Sequence, residues 1–359
     1  MEISYLNVTL AQQRLVSRMS PSNEAAWLPS KATIFEIRRA PYTPPRAHEI
    51  VIKNLAVAVN PADWYQQTFE PFPLQYPTIL GHDTAGVVEE VGESVTRFKV
   101  GERVLGHGCG MSTKRDCDCT FQKYTVVADN MASHIPTSLS FEAAAVIPLG
   151  YSTAACGMYQ KDFLALQYPS VRPKSTGQAL LVWAGSTSVG SNAIQLGVAS
   201  GYEVFTTASP KNFEYVKRLG AAQVFDYSSK TVVDDLVAAL EGKVTAGAID
   251  CISTNDSTDL CGEILSRSEC STRMIATVLG PAEGELPTGV KTKNIWALSL
   301  MENEVGKVVY EDYLLDALEV GAFVSAPEYQ VVGSGLNSIQ LGLDTLKKGV
   351  SAKKIIVTL

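Results

Sequence analysis

Three stretches carry side chains whose types and spacing allow chemistry. The first is "ILGHDTAGVVEEVG", residues 79–92, which places His82 between Gly81 and Asp83 in an otherwise apolar segment. An imidazole there can ligate a metal, yet a catalytic zinc needs three N, S or carboxylate ligands and an open fourth position. The second is "AGSTSVG", residues 184–190, which follows the apolar run "ALLVW". After it, Val189, Ala193, Leu196 and Gly197 fall at helical spacing, and Gly201 stops the helix. A glycine-containing turn from a buried strand into a helix is a nucleotide-binding arrangement. Gly185 permits the tight turn and Gly190 close packing of helix on strand. Amide groups at the helix start can bind a pyrophosphate, with hydroxyls from Ser186, Thr187 and Ser188. Thr187 stands where the middle glycine of the full G-x-G-x-x-G pattern would be.

The third stretch, "TTASPKNF", ends the next strand. Sites for NAD place an acid there, against the ribose 2′-hydroxyl. This stretch has no acid and offers Ser209, Lys211 and Asn212. Lys211 can pair with a 2′-phosphate and Ser209 can hydrogen-bond it, so NADPH is the expected cofactor. An ordinary helix start with Ser209 as N-cap is compatible with the same residues.

The elements that must position these residues fall into three zones. From about residue 25 to 150, short β-branched runs such as "EIVIKNLAVAVNP" and "FQKYTVV" alternate with Pro and Gly, as in a strongly bent β domain. From 179, strands alternate with helices of about ten residues: "ALLVW", "YEVFTTAS", "AQVFDY", "AGAIDCIS" and "TRMIATVL" are the strands. This is the rhythm of parallel βαβ units. The last zone, from about 308, reads helix, loop, helix, strand; "KKIIVTL" is the closing strand, and the zone is too small to fold alone.

Length and composition agree with a two-domain globular enzyme. The chain has 359 residues, 46% hydrophobic and 19% charged. A net charge of −7 disfavours a nucleic-acid partner, which needs a basic face. No apolar stretch reaches the 18 residues of a membrane span. Seven scattered cysteines and no signal-peptide pattern point to reduced thiols and the cytoplasm. Arg14 and Arg18 against one acid, Glu2, leave residues 1–18 as either a transit peptide or an extension without structural role.

Taken in order, "VNPADW", "ILGHDTAGVVEEVG", "FKVGERVLG", "LGYSTAA", "GSTSVG", "TTASPKNF" and "VFDY" resemble the medium-chain dehydrogenase/reductase superfamily over nearly the whole chain from about residue 25. "ASPKNF", "VFDYSS" and "AIDCIS" are most similar to its zinc-free fungal members. These include the trans-acting enoyl reductases of polyketide synthases and relatives labelled zinc-binding oxidoreductases. The resemblance implies an α/β chain with a GroES-like β-rich catalytic domain at 1–151, of which 1–24 are a candidate extension. A Rossmann doubly wound parallel-sheet domain follows at 152–307, and 308–359 return to the catalytic domain. It also implies cofactor contacts. Pro61, Ala62, Asp63 and Trp64 approach the nicotinamide side, with Thr153 near the ring. Ser186–Val189 bind the pyrophosphate, and Ser209, Lys211, Asn212 and Tyr227 surround the 2′-phosphate and adenosine. Val278, Leu279, Val350 and Ser351 complete the pocket.

Zinc dehydrogenases of this superfamily take a cysteine from the loop reading "NPADW" here, a histidine from "GHD" and a cysteine just before "GYST". The first place offers Asp63 and no cysteine, and the third offers Leu149. Cys109, Cys117 and Cys119 are too few for a four-cysteine structural zinc lobe and are expected to be free loop thiols. No metal is expected.

Without a Lewis acid, the accessible chemistry is hydride transfer to a carbon–carbon double bond conjugated to a carbonyl, with the enolate steadied by a hydroxyl or amide. The expected substrate is a small, apolar unsaturated carbonyl compound, free or bound to a carrier protein. Tyr65 is the nearest candidate donor and equally a candidate pocket wall; related fungal sequences often carry lysine there. His82 is expected to be buried, and His107 and His134 to be ordinary loop or surface histidines. "YQQTFEPFPLQYP" and "GHGCGMSTKRDCDCTF" are the expected substrate-facing loops. A quinone reductase and a non-catalytic NADPH-binding partner protein fit the same residues. "KTKNIWALSL" is a candidate edge strand, which leaves monomer and homodimer both open.

Overall fold

The computed structural model describes residues 21–280 and 285–359. The candidate targeting or extension segment 1–18 lies outside the described residues. Asn23 and Glu24, within the candidate extension 1–24, belong to the strand Asn23–Leu28, which pairs antiparallel with Glu36–Ala40 and with Thr78–Ile79. Ala25, Ala26 and Leu28 are fully buried, which ties this strand into the fold.

The β-rich part is a sheet built around the long strand Glu49–Val59. Its path runs Glu328–Ser334, Lys353–Thr358, Glu49–Val59, Asp83–Val91, Arg103–His107 and Ala132–His134, with Tyr124–Ala128 also on Glu49–Val59. Register shifts at Val51/Ile52 and Asn54/Ala56 bend that strand. Buried Asn54 holds the second bend through its amide, which donates to the carbonyls of Thr120 (3.2 Å) and Gln122 (2.7 Å). The closing strand Lys353–Thr358 pairs antiparallel with Glu49–Val59, so the C-terminus completes the first sheet. Glu328–Ser334 is a strand where the sequence reads as loop. It is an exposed edge, parallel to Lys353–Thr358, and lacks a half-buried alternation that would mark it.

The second sheet has six parallel strands in the order Gln223–Asp226, Glu203–Ala208, Gln178–Trp183, Val244–Asp250, Met274–Thr277, Lys291–Asn294. Numbered along the chain, that order is 3-2-1-4-5-6, the doubly wound Rossmann arrangement. The order reverses between Gln178–Trp183 and Val244–Asp250, and the crevice beyond their C-terminal ends is where such sheets bind ligands. Lys291–Asn294 forms one edge.

Three helices position the site. Helix α1, Pro61–Phe69, starts where Asn60 N–H donates to Asp63 Oδ2 (2.8 Å), with proline in the first turn. Helix α2, Pro148–Tyr159, is buried nearly all along and crosses residues 151/152, linking the two sheets. Helix α3, Ser188–Ala199, follows the first Rossmann strand.

Candidate active site

The candidate nucleotide cradle is the turn from Trp183 into α3. Thr187 is the N-cap: its hydroxyl accepts from Gly190 N–H (3.0 Å) and donates to Ala184 C=O (2.9 Å). Its one donor is therefore used, and it has no proton left for a pyrophosphate. Ser186 stands half-buried in the same turn, and Ser188 Oγ is buried without a partner. The amides of Ser188 and Val189, in the first turn of α3, have no intrahelical acceptor and carry the positive end of the helix dipole. A Cβ on Gly190 would overlap the Ala184 carbonyl and lie 2.6 Å from Gly185 Cα, and one on Gly185 would overlap the Thr206 hydroxyl. Orphaned donors, a helix start and a backbone that tolerates no side chain fit a dinucleotide pyrophosphate.

At the end of the second strand, Asn212 Nδ2 donates to Ser209 Oγ and to Ser351 Oγ, both at 3.2 Å. Ser209 makes no cap hydrogen bond of its own. Lys211 is exposed beside them and forms no ion pair among the described residues. Residues 139 apart in sequence thus meet at one point. Tyr227, half exposed, follows the third strand. Val278 N–H donates to Ser253 Oγ (2.8 Å), Leu279 is exposed after the fifth strand, and Val350 packs on the core of the β-rich part.

Ser253 and Ile252, in the loop after the fourth strand, were not singled out in the sequence. Ser253 is left-handed (φ 50°) and Ile252 is 44% exposed, at the point where strand order reverses. The quoted "AIDCIS" contains both, and strand order is what gives them significance.

A buried polar network joins two of the three places from which zinc enzymes of this kind take ligands, the loop 60–64 and Leu149. Lys354 Nζ lies 2.7 Å from Asp83 Oδ2 and also donates to Asn60 Oδ1. Asn60 Nδ2 donates to Asp83 Oδ2 (2.8 Å), and Asp83 Oδ1 accepts Leu149 N–H (2.6 Å). Lys354 and Asp83 are 4% and 0% exposed. Asn60 is already bonded on both amide atoms, and Leu149 offers no donor side chain. This donor set does not fit zinc. Among the described residues, no three His, Cys, Asp or Glu side chains gather to hold a metal ion. Cys109 and Cys119 are buried, and all seven cysteines are free; burial pushes the Cys117 thiol up to about 11.

Pro61, Ala62, Asp63 and Trp64 form the first turn of α1, where the sequence reads as a loop. Asp63 turns inward and is 1% exposed; Oδ2 receives the Asn60 amide and Oδ1 has no hydrogen-bond partner. Burial, the dominant cause, raises its carboxyl to about 6, against the pull of His82. His82 Nε2 lies 3.9 Å from Asp63 Oδ1, and Nδ1 is 3.2 Å from Gly108 C=O. Thr153 donates to Leu149 C=O (2.7 Å), which places it beside the same network.

Asp63 and His82 line a cavity of about 450 Å³. Leu74, Tyr76 and Met111 from the two expected loops, with Ile79 and Leu80 from the stretch before His82, supply its apolar walls. Trp296, after the last Rossmann strand, reaches over to these loops. Its ring stands 5.2 Å from that of Phe72, and its Nε1–H donates to Ser112 Oγ (3.1 Å). Tyr65 is not among the lining residues; it is 42% exposed and stacks against Trp64 and Phe69 at 5.0 and 4.8 Å.

Two histidines differ from expectation. His107 ends the strand Arg103–His107 and is fully buried, with Nδ1 2.9 Å from Ser152 Oγ, which lies 2.7 Å from the Tyr310 hydroxyl. Burial, followed by the charges of His82 and Lys354, holds its pKa well below the usual imidazole value. His134 pairs with Glu102 at 2.8 Å. Their partners are 45 and 32 residues away, so no local pattern reveals them.

Comparison with known proteins agrees with the fold. The alcohol dehydrogenase GroES-like domain model matches residues 46–137, and the zinc-binding dehydrogenase model matches 188–294. Dehydrogenase pigH of Monascus ruber is 47% identical, over 94% of this chain and all of its own length. Trans-enoyl reductase himH of Aspergillus japonicus is 41% identical, over 93% of this chain and 97% of its own. The crystal structure of CurK enoyl reductase superposes with a TM-score of 0.71 at 17% identity, covering 94% of this chain and 99% of that one; it attests the fold. With the Rossmann strand order, the GroES-like sheet and full-length relatives of this identity, the chain belongs to the medium-chain dehydrogenase/reductase superfamily of oxidoreductases, alongside fungal dehydrogenases and trans-enoyl reductases.

Proposed function

We propose that the protein is an NADPH-dependent, metal-independent reductase of α,β-unsaturated carbonyl compounds, acting as an enoyl reductase in fungal polyketide metabolism. The observation that carries this is the lack of sulfur at both thiolate places: the loop 60–64 offers Asn60, bonded to Asp83 and Lys354, and buried Asp63, and the other place is Leu149. Alcohol oxidation of the zinc type requires a Lewis acid on the alcohol oxygen. Reduction of a conjugated double bond requires only a hydride donor, a site for the enolate and a proton. Relatives named trans-enoyl reductases support the same direction.

NADPH, when bound, supplies the hydride. The residues of the chain do the rest. The turn 184–190 and the start of α3 receive the pyrophosphate through backbone N–H groups. Ser209, Lys211 and Asn212, joined by Ser351, select the 2′-phosphate by charge and hydrogen bonding. The Asp83–Leu149 bond fixes the first turn of α2 and so the position of Thr153. Leu74, Ile79 and Met111 give an unsaturated acyl chain a wall that excludes water.

Chelator-treated protein is to be mixed with NADPH and a panel of α,β-unsaturated thioesters, enones and small quinones, following the loss of NADPH absorbance. The expected result is turnover of the thioesters or enones, unchanged by chelation. Turnover of quinones alone would make it a quinone reductase, and no turnover on any acceptor would make it a cofactor-binding partner protein.

A further inference from the structure

The strand Lys291–Asn294 runs into a row of buried side chains broken by one aromatic ring. Ile295, Ala297 and Leu298 are 5%, 8% and 4% exposed, while Trp296 among them is 37% exposed. Its backbone is held on the nucleotide-binding part: the Trp296 carbonyl accepts from Ser299 N–H (3.0 Å) and from the Cys156 thiol of α2 (3.6 Å). A fixed stem thus carries a projecting indole. We propose that Trp296 is the gate of the 450 Å³ cavity and sets the width of the substrate admitted to it. The proposal rests on the enoyl or enone reductase function above.

The two contacts of the indole fall on two different walls. One wall is the stretch 73–82, and the other is Gly110, Met111 and 114–116. The walls meet at Asp116, whose carboxylate accepts from the Thr78 hydroxyl (2.8 Å) and from Ile79 N–H (3.0 Å). Trp296 joins them a second time. Its ring stands 5.2 Å from that of Phe72, the residue before Pro73, and its Nε1–H donates to Ser112 Oγ (3.1 Å), the residue after Met111. Phe72, Ser112 and Trp296 do not line the cavity themselves. They stand at its rim, on the side where the nucleotide-binding part reaches the β-rich part.

The two junctions differ in strength. At Asp116 the bonds are charge-assisted, the Asp116 carbonyl also receives the Gln122 amide (2.8 Å), and neighbouring Arg115 is locked to Glu49 (2.5 and 3.3 Å). At Trp296 one neutral hydrogen bond and one ring edge hold side chains that are partly in water, Phe72 being 43% exposed. The Phe72 backbone stays in place, because its carbonyl accepts from the amide of buried Gln66 in α1. The Trp296 junction therefore parts without disturbing either wall, and the Asp116 junction does not. An unbranched acyl chain passes beside the closed indole into the apolar cavity. A ring on the β-carbon has to displace it and forfeit both contacts. Trp296 touches no reacting atom in this scheme; it decides which substrates enter.

The test measures kcat/KM at saturating NADPH for a linear enoyl thioester and for its β-phenyl counterpart, a cinnamoyl thioester, in wild type, Trp296→Ala, Trp296→Phe and Phe72→Ala. In Trp296→Ala the ratio of phenyl-bearing to linear substrate should rise about 10-fold or more, chiefly through KM, with NADPH affinity within about three-fold of wild type. Trp296→Phe keeps a ring against Phe72, and its ratio should move by less than about three-fold. Phe72→Ala removes the partner ring and should raise the ratio in the same direction as Trp296→Ala. Calorimetric binding of the two saturated thioesters, which needs no turnover, should show the same widening. A folded Trp296→Ala whose ratio stays within about three-fold of wild type, in turnover and in binding, would overturn the proposal. If Trp296→Ala does not fold, an unchanged ratio in Phe72→Ala would do so. A wild type inactive on every enoyl thioester and enone would remove the proposed function, and the binding ratio would then decide the gate: widening in the variants sustains it, and no widening or no binding removes it. An active wild type with unaffected variants removes the gate alone.

Discussion

Replacing Lys354 by methionine gives the sharpest test of the buried polar network beside His82. The variant keeps the side chain to within one atom of its length and removes its charge. Asp83 then stays fully buried with two neutral donors, Asn60 Nδ2 and Leu149 N–H, and no counter-charge. Asn60 Oδ1 loses its donor as well. Breaking one side of a buried ion pair costs about 3–5 kcal/mol, since the surviving charge has neither water nor partner. At about 2–4 °C per kcal/mol for a domain of this size, the melting temperature should fall by roughly 10 °C. The double variant Lys354→Met, Asp83→Asn removes both charges and should recover most of that loss, to within about 1–2 kcal/mol of wild type. Urea unfolding followed by tryptophan fluorescence gives the free energies, and equal m-values would certify that the unfolded states match. Because Asp83 also holds Leu149 at the start of α2, Lys354→Met should lower kcat even where the protein is folded. A single variant as stable as wild type, or a double variant whose loss is the sum of the two singles, would refute the pairing of these charges.

Further outcomes follow from the cofactor cradle and from Asp63. Lys211→Ala should weaken NADPH binding by about 1–2 kcal/mol, roughly 5–30-fold, and leave NADH unchanged, as measured by fluorescence titration. Gly190→Ala puts a methyl group 2.6 Å from Gly185 Cα and against the Ala184 carbonyl, so it should cost about 1–3 kcal/mol of stability and most of the NADPH affinity in calorimetry. The Asp63 carboxyl is raised from the ordinary 3.8 to about 6, first by burial. The sign is that of a raised group: its contribution to stability is complete below about pH 4 and is lost as pH rises through about 6. The size is roughly 3 kcal/mol. Asp63→Asn should therefore gain stability relative to wild type between those pH values, in denaturant titrations at a series of pH.

The parts of this molecule that local periodicity controls were legible in its sequence. Buried parallel strands such as Gln178–Trp183 are continuous apolar runs, and Gly201 and Gly220 end helices or turns as glycine does. Glu328–Ser334 escaped because an exposed edge strand has no buried face to impose alternation. His107 escaped because its environment is made by Ser152 and Tyr310, brought in from other elements. The same holds for the meeting of Ser209, Asn212 and Ser351 and for the reach of Trp296 to Phe72 and Ser112. Thr187 shows a subtler limit. A hydroxyl beside a phosphate-binding turn reads as a ligand, but whether its one proton is free depends on the helix start it caps.

The central claim is that NADPH hands hydride to a conjugated carbon with no metal at His82. It is tested most directly by one labelled turnover. Protein of measured metal content, freed of zinc by chelation, is mixed with NADPH deuterated at the transferable C4 position and an enoyl thioester, and the product is read by mass spectrometry and NMR. The account predicts one deuterium on the β-carbon, at a rate equal to that of untreated protein. Label absent from that carbon, or turnover that stops on chelation and returns with added zinc, would contradict it.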